Sequence, residues 1–153
     1  MLDFDYPECY AEVVRATNWE IDLPEDWEDF FLETGVAPMN YRDQRQTQRR
    51  IVRTCGLLYF EKSLPSLSRD LNPLGIYTRD FSKSACRIIS PIELFPEEEV
   101  RLILPTFWLQ LRVVRVSRHR SNCFEIGMRL LNRNSPSRDA FVLGSRFAGV
   151  ENH

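Results

Sequence analysis

Gly75-Ile76-Tyr77-Thr78-Arg79-Asp80-Phe81-Ser82-Lys83-Ser84-Ala85-Cys86-Arg87-Ile88-Ile89 lies near the middle of the chain, and the rest is organised around it. Two short apolar runs flank a polar corner with a carboxylate, two hydroxyls and a small residue, the pattern of two strands joined by a turn. Asp and Ser also form turns by themselves, through side-chain to backbone hydrogen bonds. The corner alone therefore supports two readings, a plain turn or a place where a ligand is read.

Outward from this corner, strands dominate. Thr54 to Glu61 reads as a first strand, Gly75 to Thr78 as the second and Ala85 to Ser90 as the third. Val100 to Leu104, Phe107 to Val116 and Phe124 to Leu130 each alternate apolar and polar residues, as half-buried strands do. Ser63 to Pro73 is a polar connection, Pro91 to Glu99 a turn, and Ser117 to Asn122 a hairpin turn. Six short strands joined mostly by short turns predict an all-β fold with added helices, built on a small six-stranded antiparallel barrel. Ser135-Pro136-Ser137-Arg138-Asp139 predicts the start of a C-terminal helix, with Phe141, Val142 and Phe147 packing over an open end or edge of the barrel.

Ahead of the barrel, residues 1–40 form an acidic extension, and 41–153 the domain proper. A short helix is expected around Glu8 to Arg15. A second, amphipathic one is expected between the capping Asp22 and Gly35, with Pro24 in its first turn. It would place Trp27, Phe30 and Phe31 on one face, to dock on the main domain or on a partner. Gly35 to Asn40 reads as a linker.

The 153 residues suit one domain, and 43% apolar with 27% charged residues is ordinary for a globular chain. No apolar run approaches the roughly 18–20 residues that cross a bilayer, and the acidic N-terminus does not resemble a secretory signal, so a cytoplasmic protein without membrane insertion is expected. Cys9, Cys55, Cys86 and Cys123 are scattered, and the histidines are His119 and His153. That spacing suits neither a zinc site nor a disulfide framework. No nucleophile and base pattern stands out, so no catalytic residue is assigned. The net charge of −2 hides an asymmetry: eleven acids against Arg15 give residues 1–41 a charge of −10, and the remainder carries +8. A basic body facing an anionic ligand, with an acidic extension that packs on it or repels polyanions, fits this split, as do two solvated faces.

Arg42, Arg45, Arg49, Arg50 and Arg53 crowd the segment before the first strand. Guanidinium forks match phosphate oxygens and the O6/N7 edge of guanine. Arg45/Arg49 and Arg49/Arg53 both have the four-residue spacing that sets two side chains on one side.

The arginine run, the corner at Asp80 and the tail Phe124-Glu125-Ile126-Gly127-Met128-Arg129-Leu130, in this order between strands, resemble the PilZ domain family over roughly residues 42–147. The middle piece, Asp80-x-Ser82-x-x-Ala85, is similar to that family's Asp/Asn-x-Ser-x-x-Gly motif. The resemblance implies a six-stranded barrel that binds cyclic diguanylate, a bacterial second messenger, and relays the signal to a protein partner. Arginines and aromatics would also suit a nucleic-acid-binding barrel, but net acidity and the acidic extension argue against DNA or RNA. It implies ligand contacts from Arg45, Arg49, Arg50 and Arg53, the register of the arginine pair being open, and from Asp80, Ser82 and the Ala85 position. A carboxylate can accept from guanine N1 and N2, and arginine can donate to O6, N7 or phosphate. Ala85 stands where the motif has glycine. If its φ is negative the methyl only narrows the pocket; if positive, strain of order 1 kcal/mol follows. The alternative function is a degenerate barrel that binds protein partners without nucleotide.

Overall fold

Alternation of inward apolar and outward polar side chains forces the strands of this chain to curl until one face is wholly enclosed. The computed structural model describes residues 4–17, 19–27, 30–32, 35–36, 50–65, 69 and 72–141. Helix α1 spans Tyr6–Ala16, and the strands are β1 Gly35–Val36, β2 Arg50–Ile51, β3 Cys55–Lys62, β4 Leu74–Phe81, β5 Ala85–Ser90, β6 Glu99–Ile103, β7 Trp108–Arg120 and β8 Cys123–Asn134. All pairings are antiparallel, and the circuit β3-β4-β5-β8-β7-β6 returns to β3, closing the expected six-stranded barrel. Closure removes the free edges that invite aggregation.

The barrel interior is apolar, with Leu58, Ile76, Ile88, Val100, Leu102, Leu111, Val113 and Ile126 all fully buried. β2 lies along the same side of β4 as β3, and β1 pairs with β2. Between β2 and β3 the buried Thr78 hydroxyl bridges the gap. It donates to Val52 O at 2.6 Å and accepts from Thr54 N at 2.9 Å, satisfying groups that an unbroken strand would have paired in the ladder.

Two apolar clusters sit outside the barrel, and the N-terminal extension makes a large part of both. On one side α1 packs Tyr6 with Tyr59, Ile103, Trp108 and Ala140. Local chemistry explains the helix: Asp5 caps it by accepting from Glu8 N, Pro7 falls in the first turn, and Arg15 lies in the last. The Tyr6 hydroxyl reaches Leu104 O at 2.6 Å and Phe107 O at 2.9 Å, and the Tyr10 hydroxyl donates to Cys55 O at 3.0 Å. Burial pushes the Tyr10 phenol up to about 12, and that of Tyr6 further, so both remain proton donors at neutral pH.

On the other side Phe30, Ile89 and Cys123 form a cluster joined by Ile21, Leu23, Trp27 and Tyr77. The helix expected between Asp22 and Gly35 is replaced by two short 3-10 turns, Glu25–Trp27 and Phe30–Leu32. Trp27 ends the first turn and Phe30 begins the second; their rings stack 5.9 Å apart and both pack on the barrel side, whereas Phe31 is left 45% exposed. The expected docking of this aromatic stripe is therefore present, by a different backbone. The linker expected at Gly35 to Asn40 also differs, since Gly35 and Val36 are β1; residues 37–40 lie outside the described residues.

Only the first part of the expected C-terminal helix lies within the described residues. What is described is a 3-10 turn, Arg138–Phe141, held because the buried Arg101 guanidinium donates to Asp139 O and Ala140 O, both at 2.7 Å. It packs on the barrel's outer side against Tyr6 and Phe4, not over an open end. Val142 and Phe147 lie outside the described residues.

Because the Tyr6 hydroxyl serves buried carbonyls, Tyr6→Phe is expected to destabilise the fold by about 1–2 kcal/mol. Urea unfolding would read this as a lower midpoint at unchanged slope; an unchanged midpoint would show that the hydroxyl contributes nothing to holding α1.

Candidate functional site

A single extra residue decides where the Asp80 side chain goes. Strand parity would send residues 76, 78 and 80 of β4 to the same face, and Ile76 and Thr78 are buried among core residues. The register, however, pairs Thr78 with Ile88 and Asp80 with Arg87, leaving Arg79 as a bulge. One bulged residue reverses the parity beyond it, so Asp80 shares the outer face with Arg87, and Phe81 with its partner Cys86 packs inward.

Asp80 is nonetheless only 1% exposed, because Arg87 covers it. Arg87 Nε lies 3.0 Å from each carboxylate oxygen, and Nη2 also bonds Oδ2. Arg87 Nη1 continues to Glu125 Oε2 at 3.1 Å. Glu125 in turn accepts from Arg79 and lies 3.2 Å from His119 Nε2. The Asp80 hydrogen bonds, against an opposing desolvation, hold the Arg87 guanidinium even more firmly protonated than usual. Two carboxylates and two guanidiniums thus alternate across β4, β5 and β8.

The sequence distance between the arginine run and the corner vanishes in the fold. β2 brings Arg50 into register with Phe81 and Ile51 with Asp80. Arg53 turns toward the extension: its Nε donates to Arg79 O at 2.9 Å, its Nη1 to Phe30 O at 3.1 Å, and its guanidinium lies 4.3 Å over the Phe30 ring. Arg79 lies 5.0 Å from the Trp27 ring centre, and Trp27 meets His119 edge-on at 4.7 Å. Arg45 and Arg49 lie outside the described residues.

Ser82 and Ala85 close the β4–β5 hairpin. Ser82 N donates to Ala85 O at 2.8 Å, and the Ser82 hydroxyl stands 3.4 Å from the same oxygen. Ala85 is the first residue of β5 and pairs with Arg129. Glu97, with φ 80°, is the only non-glycine residue at positive φ among the described residues. Ala85 therefore carries no left-handed strain, and its methyl only occupies space.

Reasoning from sequence passed over Arg79, Arg87 and Glu125. Arg87 was findable as the one charge within the apolar β5 and Glu125 as an outward residue of β8, but their meeting with Asp80 depends on the Arg79 bulge. Among the described residues no cluster of three or more His, Cys, Asp or Glu could hold a metal, and no helix is long and apolar enough to cross a membrane.

Removing Arg87 would take away the cation that covers a buried carboxylate. Arg87→Met is expected to cost about 3 kcal/mol, the low end for breaking a buried pair, since 31% of the Arg87 side chain stays exposed. Adding Asp80→Asn to that variant should restore most of the loss in thermal or urea unfolding. A double variant no more stable than Arg87→Met would mean that the pair is not what stabilises this face.

No curated protein matches the chain. A family-level description of the PilZ domain matches residues 43–143, which spans the arginines from Arg45 to Arg53, the whole barrel and the turn at Arg138–Phe141. With well over half of its length covered by that match, and the closed barrel beneath it, the chain belongs to the PilZ domain family.

Proposed function

We propose that this protein is a cyclic diguanylate receptor without catalytic activity, which passes ligand binding to a protein partner. PilZ domains are generally receptors of this ligand, and one observation on this chain carries the reading. The β2–β4 pairing makes the arginine segment and the Asp80-x-Ser82 corner, some 30 residues apart in sequence, hydrogen-bonded neighbours.

The parts have complementary chemistry. Asp80 supplies a carboxylate for guanine N1 and N2 donors, Ser82 a hydroxyl at the hairpin, and Arg49 and Arg50 guanidiniums for O6, N7 or phosphate. Arg53 is held by Phe30 O, Arg79 O and the Phe30 ring. This favours Arg45/Arg49 as the ligand-reading pair, with Arg53 as the joint to the extension. Ala85, unstrained, leaves the hairpin geometry intact. Gly127 pairs with both Arg87 and Arg115, and a Cβ there would meet Arg115 alone, its Cβ at 3.6 Å and its carbonyl oxygen at 3.9 Å, both ordinary contacts. Packing does not require glycine at this position, and a flat strip between two arginines suits a planar ligand.

Transmission follows from adjacency. The residues that hold Trp27 and Phe30, namely Arg79 and Arg53, flank Asp80 and β2, so a ligand that draws on them alters how the extension sits. The alternative, an adaptor that binds partners without nucleotide, is favoured by the Arg87 hold on Asp80, which leaves the carboxylate already satisfied.

Calorimetric titration of the full chain with cyclic diguanylate is expected to show saturable heat. Arg49→Ala and Asp80→Asn should each weaken binding by at least about ten-fold while keeping the circular dichroism of the parent, as loss of a charge-assisted contact does. Absence of heat at millimolar ligand would refute the receptor and leave the adaptor; unchanged affinity in both variants would place the ligand elsewhere.

A further inference from the structure

Beside the β4–β5 hairpin, the barrel opens at one end into a cavity of about 440 Å³. This volume falls in the range of roughly 300–1,000 Å³ typical of small-molecule sites. Its inner wall is hydrocarbon: Leu109 and Leu111 belong to the main core, and Leu130 and Phe107 pack against it. Its rim is cationic. Arg50, Lys83 and Arg133 all line it, and its described lining residues include no acid.

Three features suggest more than a gap in packing. None of the three cations forms an ion pair with another described residue. Arg133 lies 4.3 Å over the Phe107 ring, so one positive charge is set directly on the apolar wall. Inside, Leu109, Leu111, Leu130 and Phe107 offer hydrocarbon alone, a wall that an aliphatic chain can cover.

The cavity also differs from the outer face described above. Asp80, Arg87 and Glu125 lie outside the sheet, whereas Phe81 and Cys86, which line the cavity, face in. A cyclic dinucleotide has polar edges that Leu109 and Leu111 cannot satisfy. An aliphatic chain with one negative head has no such need.

We propose that this barrel mouth binds a single-chain anionic amphiphile, such as a free aliphatic carboxylic acid. The chain would lie against Leu109, Leu111 and Leu130, and the carboxylate against Lys83 and Arg133. The inference does not depend on the nucleotide reading, although Arg50, Ser82 and Ala85 line this cavity too and make the hairpin a wall between the two ligands.

The test is titration of the full chain with dodecanoate below its micellar range, with dodecyltrimethylammonium as the opposite-charge control. Saturable binding of the acid alone is expected. The surface charge reversal Lys83→Glu/Arg133→Glu should weaken it by at least about ten-fold, and Leu130→Trp, filling the cavity, should abolish it. Dodecanoate should remain bound when cyclic diguanylate is added to saturation. Failure of the wild-type chain to bind dodecanoate, equal binding of the cationic amphiphile, or unchanged affinity in the charge-reversed variant would each overturn the proposal. So would one-for-one displacement by cyclic diguanylate, which would merge the two sites. Flotation with phosphatidylglycerol vesicles without uptake of the free acid would overturn it in favour of a membrane surface. Should Leu130→Trp fail to fold, the charge reversal still decides, because both of its positions are exposed.

Discussion

A carboxylate taken out of water must be paired, and on this barrel the pairing of Asp80 with Arg87 dictates how the outer face is built. The bulge at Arg79 sends Asp80 outward, and the neighbouring side chains then close over it. Arg87 answers the charge bidentately. Its remaining nitrogen reaches Glu125, which in turn engages Arg79, so the charges alternate and none stands alone. Such a lattice adds little net stability over an apolar packing of equal volume, but losing one member leaves another uncompensated. Its effect is to fix geometry: four side chains from three strands interlock with their charges alternating, and only Arg79 Nε among their buried nitrogens is left without a hydrogen bond.

The N-terminal extension is attached to this lattice by aromatic rings. Trp27 lies against Arg79 and His119, and Phe30 under Arg53, while Trp19 stacks on Tyr77 at 6.1 Å between ring centres and 2° between planes. The charge asymmetry between extension and barrel suggested attraction between acids and bases. The described contact of that kind is weak: Arg120 and Asp22 are 3.5 Å apart and both are exposed, a pair worth at most a fraction of a kcal/mol. Apolar burial and cation–π contacts hold the extension, and most of its described acids remain solvated.

Most of the barrel was legible because strand alternation is a direct image of an enclosed interior. Val100 to Leu104 and Phe124 to Leu130 needed no tertiary knowledge. Errors came where periodicity was short. Between Asp22 and Gly35 the spacing of Trp27, Phe30 and Phe31 matches an α-helix, yet two separate 3-10 turns carry them, with Trp27 and Phe30 packed on the barrel and Phe31 exposed. The turn at Arg138 depends on the buried Arg101, some 40 residues away, which no local pattern reveals. At the site, the Asp80 and Ser82 hairpin was readable from local turn chemistry. The direction in which Asp80 points was not, because a bulge leaves no reliable trace in one sequence. The Ala85 question is settled by backbone: it begins a strand at negative φ, where alanine costs nothing that glycine would save.

These constraints bear on how a guanine could be read here. Asp80 is already satisfied by Arg87, so the gain from a base at Asp80 is only the difference between the bonds made and the Arg87 bonds released. That difference is less than a carboxylate with no prior partner would give, though enough for its loss to be felt. On the proposed reading the rest of the affinity comes from the guanidiniums of the arginine segment, which a doubly anionic ligand can order. Arg50 is near enough through β2, and Arg45 and Arg49 precede it in the chain. A displaced Arg87 would still hold Glu125, and Glu125 would still hold Arg79. The lattice can therefore lend Asp80 to a ligand without collapsing, and the strain of that loan is felt first at Arg79, where Trp27 and the extension are attached.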